Sequence, residues 1–282
     1  MKSKEDICDA YILRHSLYDI QQLIFLRQTK KRVYLVHHSL EIAELALQKG
    51  WRGKIKVMLE CWLGKYSIRS AHTTVGVTQE IIDYEKKRAN QPNKPSVLYP
   101  NGVMCEGLLL NDKRGVIPEI IFVASYFFPW HGLDLLLAVM KKNSDIFVLH
   151  LIGGLSPEDE IIALEDNRII LHGHIDSQSI REISEKCWLG LASFALYRIN
   201  MQEASTLKVR EYLAMGIPVF SGYRDIFPPN FSYYRKSELS VENILRLSYE
   251  HRNVTREQIA SESHQFIDKI ELLRRFSENL KS

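Results

Sequence analysis

The sequence has few cysteines, and they lie far apart. The four cysteines form no Cys-x-x-Cys pair, which argues against a zinc ribbon or a dithiol redox site. Scattered free cysteines are usually buried and reduced, so we expect a reducing compartment. The four are Cys8, Cys61, Cys105 and Cys187.

Long apolar runs and strong charge are also missing. No stretch approaches the roughly 20 apolar residues that span a bilayer, and the charged opening Met1–Asp6 is unlike a signal peptide. The formal charge of +3 is too small to indicate nucleic acid binding. We therefore expect a soluble, cytoplasmic protein. The basic clusters Lys30–Arg32 and Lys86–Arg88 are typical of solvated element ends, and peripheral contact with an anionic membrane surface is the alternative.

Several well-defined catalytic motifs are absent. The sequence lacks G-x-x-x-x-G-K-[ST], G-x-G-x-x-G, G-x-S-x-G and H-E-x-x-H, which excludes the P-loop, the dinucleotide fingerprint, the nucleophile elbow and the zinc protease helix. It also lacks an Asp-x-Asp pair that could carry a divalent metal. We expect neither a metal ion nor a bound cofactor.

The composition that is present is globular, 45% hydrophobic and 25% charged. Short apolar runs alternate with amphipathic stretches of helical length, which is typical of parallel sheets covered by helices. We predict an α/β fold with two Rossmann-like parallel-sheet domains, of which the N-terminal one is incomplete, with room for only about four strands. The candidate strands are Ala10–Leu13, Arg32–Val36, Thr74–Val77, Ser96–Leu98, Glu119–Ala124, Phe147–Ile152, Ile169–Leu171, Leu189–Ala192 and Pro218–Phe220.

A turn divides these strands into two groups. Tyr99–Val103 contains Pro and Asn-Gly, which favour a tight turn and a plausible hinge. We place an N-terminal domain at residues 1–104, a C-terminal Rossmann-like domain at 105–262, and a C-terminal helix at 263–282 that could pack back on the first domain. The tail has apolar residues at helical spacing, which predicts one or two amphipathic helices.

Two acids, Glu203 and Glu211, lie eight positions apart before the helix stop and apolar strand of Gly216–Phe220. Eight positions is a little over two helical turns, so a helix would place both carboxylates on one face. The alternative is an exposed helix with two solvated acids.

Five motifs in order identify the chain as similar to the GT-B glycosyltransferases of family 4, and among them to bacterial capsule and surface-polysaccharide enzymes. The resemblance covers about residues 9 to 280. The motifs are Tyr99-Pro-Asn-Gly-Val103, Trp130-His-Gly-Leu-Asp134, Leu149-His-Leu-Ile-Gly-Gly154, Leu171-His-Gly-His174, and Glu203 to Glu211 followed by Gly216-Ile-Pro-Val219. The resemblance implies retaining transfer from a nucleoside diphosphate sugar, UDP- or GDP-linked, to a glycan or lipid-linked acceptor.

The helix of Glu203 and Glu211 would then hold the donor. One carboxylate can accept hydrogen bonds from two vicinal hydroxyls, so Glu211 is the candidate for the ribose and Glu203 for the sugar. Ser205 and Thr206 would occupy the first turn, where free N–H groups and the helix dipole attract phosphate.

The departing diphosphate needs positive charge. The family usually has an Arg and a Lys before the first helix of its second domain, but Tyr126 and His131 stand there in this chain. We therefore assign the diphosphate to Arg198 and Lys208. The alternatives are a surface ion pair for Arg198 and a solvent-facing helix position for Lys208.

The resemblance also implies contacts at strand ends. The backbone of Gly173, His174 and Ile175 would meet the base, and His37 would face the donor sugar. Glycines at strand ends are as often plain turn formers, and a histidine at a strand end is more often a packed bystander.

Three functions follow as hypotheses. The first is an active glycosyltransferase. The second is a catalytically silent nucleotide-binding subunit whose partner chain completes the N-terminal domain, because that domain resembles only the later part of the family's. The third, an epimerase of similar architecture, fits less well because those enzymes usually lack the two-glutamate helix.

Overall fold

The structure is a computed structural model that describes residues 8–46 and 50–281. The described chain forms two compact units. The first contains the chain up to Pro100, the short segment Ile199–Glu203 and the residues from Phe276 onward; the second contains Asn101–Arg198 and Ala204–Arg275. The chain passes between the units at Pro100 and Asn101, inside the turn expected as a hinge, and the domain bounds given above stay predictions.

The first unit has a sheet of four parallel strands in the order in which they occur along the chain. Val33–Val36 is buried on both faces of the sheet, as the continuous apolar run of a covered parallel strand predicts. The strands are β1 (Ala10–Arg14), β2 (Arg32–His37), β3 (Thr73–Gly76) and β4 (Ser96–Leu98), and the helices are α1 (Ile20–Gln28), α2 (Glu41–Ala46), α3 (Trp51–Ser70) and α4 (Gln79–Ala89).

Each face of this sheet carries its own apolar cluster. Leu35 and Ile68 lie in one cluster, and Tyr34 and Val75 lie in the other. The second cluster includes Phe276, whose ring centre lies 6.1 Å from that of Tyr34. The end of the C-terminal helix therefore contributes to the core of the first unit.

The second unit has six parallel strands in the order β10-β9-β8-β5-β6-β7. The strands are β5 (Glu119–Tyr126), β6 (Val148–Gly154), β7 (Ile169–Gly173), β8 (Leu189–Leu191), β9 (Val219–Ser221) and β10 (Tyr234–Lys236). The helices are α5 (Leu133–Met140), α6 (Pro157–Leu164), α7 (Ser177–Ser184), α8 (Leu207–Ala214), α9 (Val241–Glu250), α10 (Arg256–Ile267) and α11 (Lys269–Lys281).

Local sequence explains most helix starts in both units. Six helices begin after a residue whose side chain accepts a hydrogen bond from an N–H group of the first turn. These residues are Asp19, Thr78, Ser156, Asp176, Ser240 and Thr255. Gly216 follows α8 with φ of +75°, and a Cβ there would lie 2.5 Å from the Cβ of Arg256, so glycine is required at this helix end.

The four strands predicted for the first unit are confirmed in number. The second unit has six strands, one more than the five that were predicted. The missed strand is β10, whose Tyr-Arg-Lys sequence has no apolar pattern and which is three residues long. Its place in the sheet comes from pairing with β9, a tertiary contact. None of the described helices combines the length and the hydropathy of a membrane-spanning segment.

Candidate functional site

Helix α8 begins later than the spacing of the two acids suggested. Thr206 is its N-cap and Leu207 its first residue, so the expectation that one helix carries both Glu203 and Glu211 is wrong. Ser205 and Thr206 likewise precede the first turn instead of forming it. The prediction failed because the two acids lie on segments that belong to different compact units. A helical spacing between two residues is meaningful only if every residue between them is helical.

Lys208, in the first turn of α8, has a buried amine. Its Nζ has no hydrogen-bond partner among the described residues and lies 5.2 Å from the centre of the Phe122 ring. Burial lowers the pKa of Lys208 to about 8, and the carboxylate of Glu211 opposes that shift. A solvent-facing position for Lys208 is therefore wrong. The carboxylate of Glu211 is near enough to act on the amine by charge, but it forms no hydrogen bond with it.

His131 lies in the short turn Pro129–His131, close enough to Lys208 for the charge of the amine to lower the pKa of the imidazole. The backbone N–H of Phe128 donates to Nδ1 at 2.9 Å, which leaves the proton of the neutral ring on Nε2. Burial, and then the charge of Lys208, lower the pKa of His131 to about 4. At neutral pH the ring is uncharged, and Nε2–H is a hydrogen-bond donor.

The N-terminus of α8 has no side-chain cap. The Thr206 side chain does not cap the helix, because its hydroxyl forms a 2.8 Å hydrogen bond with the hydroxyl of Tyr223. The hydroxyl of Ser205 accepts from the backbone N–H of Asn101 at 3.0 Å. Both hydroxyls are thus engaged, while the first N–H groups of α8 receive no side-chain cap from the N-cap residue, which favours an anion at that position.

Glu211 lines a cavity of about 440 Å³ within the second unit. Burial raises the pKa of Glu211, and Lys208 opposes the rise. Helices α7 and α8, which follow strands β7 and β8, form two of the walls. The lining residues are Gly102, Val103, Met104, Leu108, Ser177, Ile180, Arg181, Leu207, Glu211, Met215 and Lys269.

A larger hollow of about 680 Å³ lies elsewhere in the same unit. Its lining includes Ile146, which precedes β6, and Ile169, the first residue of β7, so it lies at the amino ends of these strands. Ligands of open parallel sheets bind at the carboxyl ends. The cavity of Glu211 is therefore the better candidate, although it is the smaller of the two.

The strand-end residues named from the sequence lie at the carboxyl end of β7. Gly173 has φ of +62°, and a Cβ there would meet nothing within 4 Å, so the position is a left-handed turn beside open space. His174 is exposed and Ile175 half-buried. A contact of these residues with a base stays a prediction.

Arg198 is engaged in a bidentate ion pair. Both terminal nitrogens donate to the carboxylate of Asp134 at 2.8 Å, and one also donates to the carbonyl of Pro129. This is the surface ion pair that was the alternative for Arg198. Both side chains, together with Tyr126, line a cavity of about 350 Å³.

Arg210, the third cation of this region, is fully buried. Its guanidinium donates to both carboxylate oxygens of Asp225, one at 2.6 Å, and also to the carbonyls of Asn101 and Thr206. Arg210 therefore ties α8 to two neighbouring segments.

In the first unit, Glu203 forms a reciprocal contact with Glu80. The carboxylate of Glu203 accepts from the backbone N–H of Glu80 at 3.0 Å, and the carboxylate of Glu80 accepts from the N–H groups of Gln202 and Glu203. Glu203 thus lies at the start of α4. Its contact with a sugar stays a prediction.

His37 belongs to a buried polar cluster of the first unit. Its Nδ1 lies 3.1 Å from Glu41 and 3.8 Å from Glu85, and its ring stacks on His15 at 4.7 Å. Burial lowers the pKa of His37, so the ring is neutral. The ring is fully buried, as expected of a packed histidine, and its role toward a donor sugar stays a prediction.

Two groups of side chains could offer three ligand atoms to a metal ion. They are His37 with Glu41 and Glu85, and Cys105 with His264 and Asp268. Neither group was expected from the sequence, because its members come together only in the fold.

Sequence reasoning also missed the neighbours that set the properties of the site. Phe122 lies against Lys208, Asp225 pairs with Arg210, and Glu80 pairs with Glu203. Phe122 and Asp225 lie in or soon after strands β5 and β9, a location that could have marked them as candidates. Which helix residue each one meets depends on packing.

Comparison with known proteins gives similarity in structure only. No family model and no curated protein matches the sequence. The lipopolysaccharide outer core galactosyltransferase WaaB, without ligand, is similar with a TM-score of 0.66 and 12% identity, over 99% of this chain and 77% of WaaB.

Two further solved structures are similar to this chain. HepE from Anabaena, in complex with UDP and glucose, has a TM-score of 0.64 and 11% identity over 99% of this chain and 79% of HepE. The GtfA/B complex has a TM-score of 0.58 and 14% identity over 96% of this chain and 56% of that one. Together with its two parallel sheets of four and six strands, these similarities show that the chain has the two-domain Rossmann-like fold of the GT-B glycosyltransferases.

Proposed function

We propose that the chain is a glycosyltransferase that moves a sugar from a nucleoside diphosphate sugar to a polysaccharide or lipid-linked acceptor. The observation that carries this proposal is Lys208, a buried cation without a hydrogen-bond partner in the described chain, in the uncapped first turn of α8. An unpaired buried charge is costly unless a ligand supplies the counter-charge. A diphosphate would supply it.

The diphosphate has three donors in this arrangement. The ammonium of Lys208 would neutralise the charge of the diphosphate, and the Nε2–H of His131 would donate a hydrogen bond to it. The first N–H groups of α8 point out of the helix N-terminus, where Lys208 also lies. Charge on the diphosphate grows as the glycosidic bond breaks, so these groups stabilise the transition state more than the bound donor. His131 takes this role as a neutral donor in place of the lysine of the resembling family.

The nucleoside would occupy the 440 Å³ cavity, with Glu211 on the ribose. Glu211 is exposed where it lines the cavity, so its carboxylate can accept charge-assisted hydrogen bonds from two vicinal hydroxyls. The complex of HepE with UDP and glucose supports a uridine nucleotide, and a guanosine nucleotide is the other candidate. Gly173, His174 and Ile175 would contact the base.

We infer that transfer retains the configuration of the sugar, as in family 4. The acceptor hydroxyl would attack the anomeric carbon on the face that the diphosphate leaves, and its proton would pass to the departing phosphate oxygen. This route needs no side-chain base. Glu203 and His37 would hold sugar hydroxyls, and Arg198 would join the diphosphate if it exchanges Asp134 for the ligand.

A second candidate is a silent nucleotide-binding subunit with a partner chain. Two of the similar solved structures are complexes, GtfA/B and the Gap123 complex from Streptococcus agalactiae. In the described part of this chain, β1 is an edge of its sheet, with β2 as its one partner strand. Another strand could pair there.

Calorimetry with UDP, GDP and ADP on the purified chain, followed by donor hydrolysis, tests both candidates. We expect one nucleotide to bind, and its sugar conjugate to be hydrolysed slowly without acceptor. Binding without hydrolysis, and without transfer to added acceptors, would favour the silent subunit. No binding of any of the three nucleotides would reject both.

The matched pair of variants is Lys208→Met and Lys141→Met. Lys141 follows α5, and it lines the amino-end hollow and not the cavity of Glu211. We expect only Lys208→Met to weaken the nucleotide affinity, by about tenfold or more, because a charge-assisted hydrogen bond contributes roughly 1.5–3 kcal/mol. Equal affinities for the two variants would remove Lys208 from the site.

A further inference from the structure

Helix α3 of the first unit presents large apolar side chains to solvent. Trp51, Ile55, Met58 and Trp62 recur at intervals of three or four, so they lie along one side of the helix, which we call the outer face of α3. Trp51 is 68% exposed, Met58 65% and Trp62 58%. Soluble proteins rarely leave such a row uncovered, so the outer face is a candidate interaction surface.

The opposite side of the same helix is buried in the unit. Gly53, Leu63, Gly64 and Ile68 are buried there, and Gly64 leaves room for Glu60, since a Cβ at Gly64 would lie 2.1 Å from a carboxylate oxygen of Glu60. The helix is thus fixed by its inner side. The side chains of the outer face keep about two-fifths or more of their surface exposed.

The exposed charged side chains of α3 that flank the outer face are basic. Arg52 and Lys54 are exposed next to it. Glu60 is the only acid of Trp51–Ser70, and its carboxylate is fully buried, where it contacts Arg88 and His15 at 2.8 Å. The solvent side of α3 therefore combines tryptophan and aliphatic side chains with basic residues and no acid.

Contacts extend this surface to α1. The ring of Trp62 packs edge-on against Tyr66 at 5.3 Å, and the guanidinium of Arg27 from α1 lies 5.5 Å from the centre of the Tyr66 ring. On α1, Ile20 and Ile24 are exposed one turn apart. The basic cluster Lys30–Arg32 follows α1 directly.

We propose that the outer face of α3 docks on an anionic lipid surface, with Trp51, Ile55, Met58 and Trp62 inserted among the headgroups. Exposed tryptophan and aliphatic side chains can enter a membrane interface, where tryptophan rings lie at the level of the headgroups. The basic side chains can reach anionic headgroups while their stems cover apolar surface.

Charge favours lipid over protein as the occupant. The core of a protein interface is depleted in lysine, and a basic rim with no acid needs an acidic partner. An anionic bilayer supplies that charge over the whole length of the helix. The proposal does not depend on nucleotide binding, because the outer face includes none of the residues assigned to the donor.

Vesicle sedimentation of the full chain tests the proposal. The vesicles are phosphatidylcholine alone and phosphatidylcholine mixed with phosphatidylglycerol, and the variants are Trp62→Ser, Lys54→Gln and Leu164→Ser. Leu164 is the matched control, since it ends α6 in the second unit and is 70% exposed. All three positions are exposed, so the variants should fold, which circular dichroism and UDP affinity check independently.

We expect the chain to sediment with the mixed vesicles and to bind phosphatidylcholine alone far more weakly. Trp62→Ser should lower the partition coefficient about tenfold or more, from the loss of roughly 1.5–3 kcal/mol of apolar transfer. Lys54→Gln should lower it about fivefold on the mixed vesicles only, since one basic residue contributes about 1 kcal/mol there. Leu164→Ser should leave it unchanged.

Three results would overturn the proposal. They are the absence of sedimentation with mixed vesicles, an equal effect of Trp62→Ser and Leu164→Ser, and a dimer in solution that Trp62→Ser dissociates. The last would assign the outer face to a second copy of the chain. If the natural protein binds the mixed vesicles but no nucleotide, the proposed function is rejected and this proposal stands.

Discussion

The Nζ of Lys208 lies 5.2 Å from the centre of the Phe122 ring, buried and without a hydrogen-bond partner among the described residues. The aromatic face offers a cation a modest attraction, about 0.5–2 kcal/mol, which does not replace a carboxylate or water. Strongly perturbed pKa values cluster at functional sites, which makes the amine of Lys208 a candidate ligand contact.

Replacing Lys208 with methionine should stabilise the unliganded protein while weakening nucleotide binding. Methionine keeps the length of the side chain and removes the buried charge. The pKa of Lys208 falls from 10.5 to about 8 in the folded state, so at pH 7 the charge disfavours folding by about 1–3 kcal/mol after a discount for the half-buried stem. Urea denaturation at pH 7 measures the difference. A less stable Lys208→Met variant would contradict it.

The pH dependence of nucleotide affinity should follow the same amine. Below pH about 8 Lys208 is protonated and can bind a diphosphate, and above it the charge is lost, so affinity for UDP should fall as pH rises through 8, by at most about tenfold per pH unit. Calorimetry from about pH 7 upward avoids protonation of the phosphate itself. Lys208→Arg should remove this fall, because a guanidinium stays charged. A flat profile for the natural protein would contradict the assignment.

Replacing Glu211 tests the ribose contact. Glu211→Ala should weaken the affinity for UDP about tenfold or more, the loss of one or two charge-assisted hydrogen bonds. Glu211→Gln keeps the shape and loses the charge, so its effect should be smaller. Calorimetry with 2′,3′-dideoxyuridine diphosphate supplies the control: it should bind the natural protein and Glu211→Ala equally. Unchanged UDP affinity in Glu211→Ala would remove Glu211 from the site.

The ion pair of Arg198 with Asp134 competes with any role of Arg198 on the diphosphate. Asp134→Asn should release Arg198 and raise UDP affinity up to about fivefold, since an exposed pair contributes about 0.2–1 kcal/mol. Arg198→Gln should lower the affinity about tenfold if Arg198 exchanges partners. If calorimetry shows that neither substitution changes the affinity, Arg198 has a structural role only.

The buried pair of Arg210 with Asp225 should behave differently. Removing either charge leaves the other uncompensated, so Arg210→Met or Asp225→Asn should destabilise the fold by about 3–5 kcal/mol in chemical denaturation. The double variant should recover part of the loss. If the single variants were as stable as the natural protein, the pair would not hold α8 in place.

Much of the fold could be predicted because its signals are local. The run Val33–Val36 and its counterparts alternate with helical stretches, which is typical of a parallel sheet covered on both faces. Strand β10 was not predicted, because its three residues Tyr-Arg-Lys are too few to show an alternation of apolar and polar side chains. They form a strand only because they pair with β9. The predicted start of α8 was wrong because a spacing of eight positions between two acids is compatible with a helix but does not require one.

The sequence by itself determined the α/β alternation and the four strands of the first unit, because periodicity and turn chemistry act over a few residues. It also contained the separate motifs to which His131, Lys208 and Glu211 belong. Only the tertiary structure decided which charges are available. It pairs Arg198 with Asp134 and Arg210 with Asp225, and it leaves the amine of Lys208 beside Phe122 without an acceptor in the described chain. The physical reason is that burial and the identity of the nearest counter-charge set the state of an ionisable group, and both come from segments distant in sequence.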